Sequence, residues 1–178
     1  DIIPAVASTE LSGMKVDIKK LNVLGEQADI SKNVLERRLP KVNSALGTTS
    51  IRLKTEKKRL NPNSHKQIKE YFRESFAIEL KDTSEKTLKR IEAEDGRELS
   101  NLILQCRANK KLIGTYLKKL SPESLPEDGR IRSRFLSMGA RTGRFSVQGI
   151  LQTIPRKQEI RELFVPEEGN CFVIADYS

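Results

Sequence analysis

The feature that narrows the fold most is a helical stripe past the middle of the chain. Leu99, Leu102, Ile103, Cys106, Ile113, Tyr116 and Leu120 recur mostly at steps of three, four and seven residues. That period puts side chains on one face of an α-helix, so Glu98 to Leu120 is predicted to be one long amphipathic helix. A second such pattern lies upstream in Leu21, Leu24, Ala28, Leu35, Leu39, Val42 and Leu46. Asp17 stands before it as an N-cap, because its carboxylate can accept an orphan backbone N–H. Pro40 interrupts it, removing a hydrogen bond and clashing with the preceding turn, so a kink or break is expected near Leu39. Gly47 is expected to end the element.

Shorter elements fill the rest. Residues 2–14 are mostly apolar or small and Gly13 breaks the run. Residues 48–62 read as a polar connector. Ser64 or Asn63 is expected to cap a short helix to about Arg73, and Asp82 to Ser84 to open another to about Ala93. Pro122, Pro126 and Asp128-Gly129 mark a turn-rich connection. Arg130 to Met138 alternates roughly as a half-buried strand does. Gly139 to Pro155 reads as loop, and 158–165 as a short helix or strand. Cys171 to Ala175 is wholly apolar and suits a buried strand ending at Asp176. The pattern is that of a mainly helical α+β protein. The absence of Trp leaves the core to Leu, Ile and Val. The chain starts at Asp1 and stops at Ser178 directly after an apolar run, so both ends are expected to be cuts.

The formal net charge is +9, which favours a polyanionic partner. The charge is concentrated. Residues 51–69 carry a net +6 and residues 130–161 a net +7, leaving −4 for the remainder. The second window is Arg-rich, and the planar guanidinium fork suits phosphate oxygens and base edges. Arg107, Lys111 and Lys118 form a basic stripe opposite the apolar one, ordinarily a solvated face and here also a candidate for phosphate contact. With two cysteines and one histidine, neither a disulfide framework nor a Cys/His zinc site can be built. No apolar run approaches the roughly 18 residues of a membrane span. No signal peptide is recognisable, no membrane partner is expected, and a cytoplasmic location is.

More specific are ordered motifs. The segments Arg141-Thr142-Gly143-Arg144-Phe145-Ser146, Leu151-Gln152-Thr153-Ile154-Pro155, Ile160-Arg161 and Ala175-Asp176-Tyr177-Ser178 resemble, in order and approximate spacing, the family A DNA polymerase run TGRLSS, NLQNIP, IR and DYSQIELR. Upstream, Glu10, Gly13 and Asp17 match its E-x-x-G-x-x-x-D opening. Asn61-Pro62-Asn63-Ser64-His65-Lys66-Gln67-Ile68 looks like N-x-N-S-x-x-Q-L, and Arg107, Lys111, Thr115 and Tyr116 look like R-x-x-x-K-x-x-x-T-Y. The resemblance spans essentially the whole chain.

It implies a thumb over 17–120, built as a helical hairpin with short tip helices. It implies a palm-associated segment at 1–16 and the first strands of a right-hand palm over 121–178. The fingers, the rest of the palm and an exonuclease domain would lie outside the chain. The implied activity is template-directed transfer of a nucleotide from dNTP to a primer 3′-hydroxyl by two-metal catalysis. Asp176 would be the first metal-binding carboxylate, and the backbone carbonyl of Tyr177 a further ligand to one of two Mg²⁺ ions. Arg144 would reach into the minor groove at the primer terminus, where acceptors are alike for all correct pairs. Gln152 would act beside it. Asn63, Ser64, His65, Gln67, Arg107 and Lys111 would hold duplex backbone, with Thr142 and Gly143 flanking Arg144. Arg156, Lys157 and Arg161 would meet primer or template phosphates.

The sequence also departs from the family. Gly149-Ile150 replaces a usual Pro-Asn, Thr153 a usual Asn, and the loop from Pro155 to Ile160 is a few residues shorter. The expected partners are primer–template DNA, dNTP and a C-terminal segment or chain carrying the fingers and the second aspartate. Without that segment the chain is expected to be inactive. The location would be nucleoid-associated, or host cytoplasm if the source is viral. The alternative is a non-catalytic basic DNA-binding module derived from a polymerase thumb.

Overall fold

The computed structural model describes residues 2–43, 57–137 and 139–175. In chain order the elements are α1 (Ile2–Ser12), β1 (Met14–Val16), α2 (Ile18–Arg38), β2 (Lys41–Asn43), β3 (Lys57–Arg59), α3 (His65–Phe76), α4 (Glu85–Leu88), α5 (Glu94–Lys111), a π-helical segment (Leu112–Leu117), α6 (Lys118–Leu120), β4 (Arg130–Ile131), β5 (Arg134–Leu136), β6 (Ser146–Gln148), a 3₁₀ turn (Leu151–Thr153), α7 (Gln158–Arg161) and β7 (Phe164–Val165). This is the mainly helical α+β class that the periodicity predicts. The chain divides into two compact units, residues 1–27 with 112–178, and residues 28–111.

The second unit holds a continuous apolar core. Leu39, Leu60, Ile68, Phe72, Leu88, Leu102 and Ile103 are buried together there, joined by Cys106. The stripe on α5 faces this core through Leu99, Leu102, Ile103 and Cys106. Phe76 meets Phe72 edge-on with ring centroids 5.3 Å apart, a geometry favoured by the aromatic quadrupoles. Gly96 sits where a Cβ would press on Ile91 at 3.0 Å and Ile78 at 3.2 Å. A glycine inside α5 is thus explained by close packing rather than by backbone need. Helix α3 ends on Ala77 in the left-handed region at φ 55°, an unusual place for a residue with a Cβ.

Several expectations are corrected. The upstream helix breaks at Arg38, as Pro40 leads one to expect, yet Val42 lies not on a helix but in β2, paired with Lys58 of β3. Leu46 and Gly47 lie outside the described residues. The predicted single helix is interrupted at Leu112–Leu117: Leu120 is buried as the stripe requires, but the π turn adds a residue to the period, so Tyr116 and its neighbour Leu117 are both buried. The helix opened at Ser84 stops at Leu88 rather than near Ala93. The expected strand over 130–138 is two short pieces in different sheets, and the expected loop at 139–155 contains β6. The largest difference is Cys171 to Ala175. It forms no strand, and Phe172, Val173 and Ile174 are 51%, 87% and 91% exposed. A strand exists only with a neighbour to receive its hydrogen bonds, and among the described residues none pairs with this run.

In the first unit β1 is the middle strand of an antiparallel sheet, ordered β4-β1-β7. Its register sets Lys15 opposite both Arg130 and Val165. The three residues of the E-x-x-G-x-x-x-D opening each have a task here. Glu10 accepts the Phe135 N–H at 2.5 Å. Gly13, at φ 57°, lets the backbone pass so close to Ile131 that a Cβ would lie 2.5 Å from its carbonyl oxygen. Asp17 caps α2 by accepting the Lys20 N–H at 3.0 Å, as predicted.

Candidate nucleic-acid interface

In the second unit the segment Asn61–Gln67 folds back on itself. The Asn61 carboxamide oxygen accepts the Asn63 N–H at 3.0 Å, an Asx turn. Ser64 caps α3 through the Gln67 N–H at 3.4 Å. Gln67, three residues on, returns its side-chain oxygen to the Asn61 N–H at 2.9 Å. The capping-box logic of reciprocal side-chain acceptors is thus met with a shift of target. Consequently the Ser64 hydroxyl and the Gln67 oxygen have structural work, while Asn63, His65 and Lys66 stand exposed on the outside of the turn.

Arg107 is oriented differently from the sequence expectation of a phosphate contact. Its guanidinium donates to Pro62 O at 2.7 Å, to Thr83 O at 2.5 Å and to Thr83 Oγ1 at 3.1 Å. It therefore ties the turn before α3 to the loop before α4, and burial pulls its pKa below the ordinary guanidinium value. Thr83, which the sequence did not single out, is wholly buried and lies 2.5 Å from His65 Nδ1 through its hydroxyl. Its neighbours hold the same loop. Asp82 accepts the Ser84 N–H at 2.8 Å and the Thr87 hydroxyl at 2.6 Å. Hydrogen bonding from Ser84, then from Thr87, holds the Asp82 carboxyl well below the usual carboxylate range. Lys111, one turn beyond Arg107, is exposed at the end of α5.

The first unit carries the remaining candidates. Thr142, Gly143 and Arg144 form an exposed turn linking β5 to β6, with Gly143 at φ 75° and its N–H donating to Ala140 O at 2.9 Å. A left-handed position at the tip of that turn is where Gly is required. Gln152 accepts the Val147 N–H at 3.1 Å, holding the 3₁₀ turn against β6. Tyr116 donates its hydroxyl to Thr153 O at 2.9 Å. Ile150, where an amide side chain would be usual, is buried at 3% exposure, in keeping with its apolar character. Arg156, Lys157 and Arg161 are exposed around α7.

The basic window at 130–161 separates into two kinds of residue. Arg130 pairs with Glu167, also held by Lys15, and bonds Ser12 O; Arg132 makes a two-pronged pair with Asp128. These arginines fasten the sheet. Arg134, Arg141, Arg144, Arg156 and Arg161 are exposed, and none has a carboxylate partner among the described residues.

Asp176 and Tyr177 lie outside the described residues. Among the described residues no group of three His, Cys, Asp or Glu side chains is placed to hold a metal ion, and no helix is long and apolar enough to cross a membrane.

The fold is that of part of a polymerase domain. It matches the POL domain of Pol1 from M. smegmatis, solved in complex with DNA primer-template and dNTP, at a TM-score of 0.69 and 25% identity, over 93% of this chain and 29% of that one. The profile of DNA polymerase family A matches residues 12–178, and the chain belongs to that family. Among its relatives are the thermostable DNA polymerase I of Thermus filiformis, 35% identical over 66% of this chain and 16% of that protein, and the DNA polymerase I of Chloroflexus aurantiacus, 31% identical over 99% of this chain and 19% of that protein. The chain thus spans about a fifth or less of the length of these relatives.

Proposed function

We propose that this chain is the duplex-gripping part of a family A DNA polymerase, and that it supplies one of the carboxylates for template-directed DNA synthesis. The observation that carries the reading is the set of exposed arginines at 134, 141, 144, 156 and 161, none with a carboxylate partner among the described residues, in a unit whose other arginines, Arg130 and Arg132, are paired with Glu167 and Asp128. Exposed guanidinium groups kept clear of local carboxylates are available to release counterions from a phosphate backbone.

In this reading residues 17–120 act as the thumb. Asn63, Ser64, His65, Gln67 and Lys111 face the duplex backbone, and Arg107 supports them from behind. Thr142, Gly143 and Arg144 present a guanidinium to the minor groove at the primer end, with Gln152 beside it. An arginine there tests pair geometry without reading sequence, because minor-groove acceptors are similar for every correct pair. Arg156, Lys157 and Arg161 meet primer or template phosphates. Asp176 and the Tyr177 carbonyl would hold Mg²⁺, and a C-terminal segment would bring the nucleotide-binding fingers and the second aspartate. When bound, such a metal pair neutralises charge at the attacking hydroxyl and the leaving pyrophosphate.

The test is binding of the chain to primer–template duplex, single-stranded DNA and anionic lipid vesicles across a salt series, followed by primer extension with Mg²⁺. Duplex preference with a steep loss of affinity as salt rises is expected, with no extension by the chain alone. Extension is expected to return when a segment carrying the fingers and second aspartate is added. Equal affinity for vesicles and duplex, or robust extension without that segment, would overturn the proposal.

A further inference from the structure

The buried Thr83 hydroxyl sets a logical constraint on His65. A hydroxyl has one hydrogen and two lone pairs. One lone pair receives Arg107 Nη2 at 3.1 Å, and the hydroxyl's other hydrogen-bond partner among the described residues is His65 Nδ1 at 2.5 Å. If Nδ1 carried a proton, Thr83 would accept twice and its own hydrogen would have no acceptor. Thr83 is 0% exposed, so water cannot supply one, and an unsatisfied buried donor is strongly disfavoured. With Nδ1 bare, every group is satisfied. Arg107 donates to Thr83, Thr83 donates to Nδ1, and the only ring proton is on Nε2. His65 is exposed on the outer side of the Asn61–Gln67 turn. Arg107 cannot reverse the relay, since a guanidinium only donates.

We propose that Arg107 and Thr83 are positioning residues that lock His65 in the tautomer protonated on Nε2, so that this N–H donates to a phosphate oxygen of the gripped duplex. This inference rests on the duplex-gripping reading above and adds to it a chain of two residues, Thr83 buried and Arg107 half-buried, behind one contact. A ring free to exchange tautomers would present a donor only part of the time and would lose orientation on binding. The relay removes both losses before DNA arrives.

His65 is the only histidine in the sequence, so one imidazole can be read without assignment. Long-range ¹H–¹⁵N correlation on the ¹⁵N-labelled chain at mildly alkaline pH is expected to give two well-separated ring nitrogens, Nε2 protonated and Nδ1 bare. Thr83→Val keeps the shape of the side chain and removes the hydroxyl, and is expected to collapse the pair toward averaged shifts. Thr83→Ser is expected to retain the wild-type pattern. Affinity for primer–template duplex, by fluorescence anisotropy at fixed salt, is expected to fall about three- to tenfold in His65→Phe and in Thr83→Val. It should fall no further in the double variant and be restored in Thr83→Ser. A protonated Nδ1 or averaged nitrogens in the wild-type chain would overturn the relay. Unchanged duplex affinity in His65→Phe would overturn the contact while leaving the duplex-gripping reading standing. Absence of duplex binding by the wild-type chain would remove both.

Discussion

Replacing Arg107 by lysine separates a geometric role from a charge role. The guanidinium reaches three acceptors in two chain segments, Pro62 O, Thr83 O and Thr83 Oγ1. An ammonium keeps the charge, but as one donor atom without the planar fork it can hold about one of these acceptors at a time. About two of the three bonds are therefore lost. A hydrogen bond from a charged donor contributes about 1.5–3 kcal/mol when dry, and this site is only partly buried, so about 1–1.5 kcal/mol each is appropriate. The loss is about 2–3 kcal/mol. For a unit of this size each kcal/mol moves the midpoint by roughly 4–8 °C, which puts the Arg107→Lys transition roughly 10–20 °C below that of the wild type. Thermal unfolding followed by circular dichroism measures it, with Arg107→Met beside it. The methionine variant, which keeps none of the three bonds, should fall further, by about half as much again as the lysine variant. A lysine variant that melts within about 2 °C of the wild type would show that the clamp contributes nothing and that the arginine faces outward for another reason.

Three further outcomes are expected. Ala77→Gly relieves the left-handed C-cap of α3 and should raise stability by about 0.5–1 kcal/mol, while Ala77→Val lowers it, both read from denaturant midpoints. The Asp82 carboxyl is held down by Ser84 and then Thr87, so its folded pKa lies below its unfolded one. The stability it confers is present above about pH 4 and is lost as pH falls toward the folded value. Asp82→Asn should therefore flatten the acid limb of a melting-temperature profile, and an unchanged limb would refute the assignment. Burial first, and the Glu36 charge second, push the Cys106 thiol up, whereas Cys171 is exposed. A thiol reagent at neutral pH should modify Cys171 at least about 100-fold faster, with Cys106 reacting on unfolding, as mass spectrometry of the labelled peptides would report.

What the sequence could reveal follows from which interactions are local. The N-caps at Asp17 and Ser64 were readable because a cap needs only one side chain and the next three residues. The stripe on α5 was readable for the same reason. The break at Pro40 was legible, but the strand after it was not, because β2 exists only through its pairing with β3. The same non-local dependence made Cys171–Ala175 read as a strand when composition alone was consulted. Within the candidate site, the positive charge of the window could not separate Arg130 and Arg132, which Glu167 and Asp128 engage, from Arg141 and Arg144, which have no carboxylate partner among the described residues. Thr83 gave no signal at all. Its importance arises from residues 18 and 24 positions away.

The exposed run Phe172-Val173-Ile174, unpaired among the described residues, has a practical consequence for anyone handling the chain. Short uncharged stretches of β-branched and aromatic residues, presented to water without a neighbour, stack on copies of themselves. Concentrated preparations should cloud or form soluble multimers through this stretch. A single lysine at Val173 is the simplest way to keep such samples monodisperse.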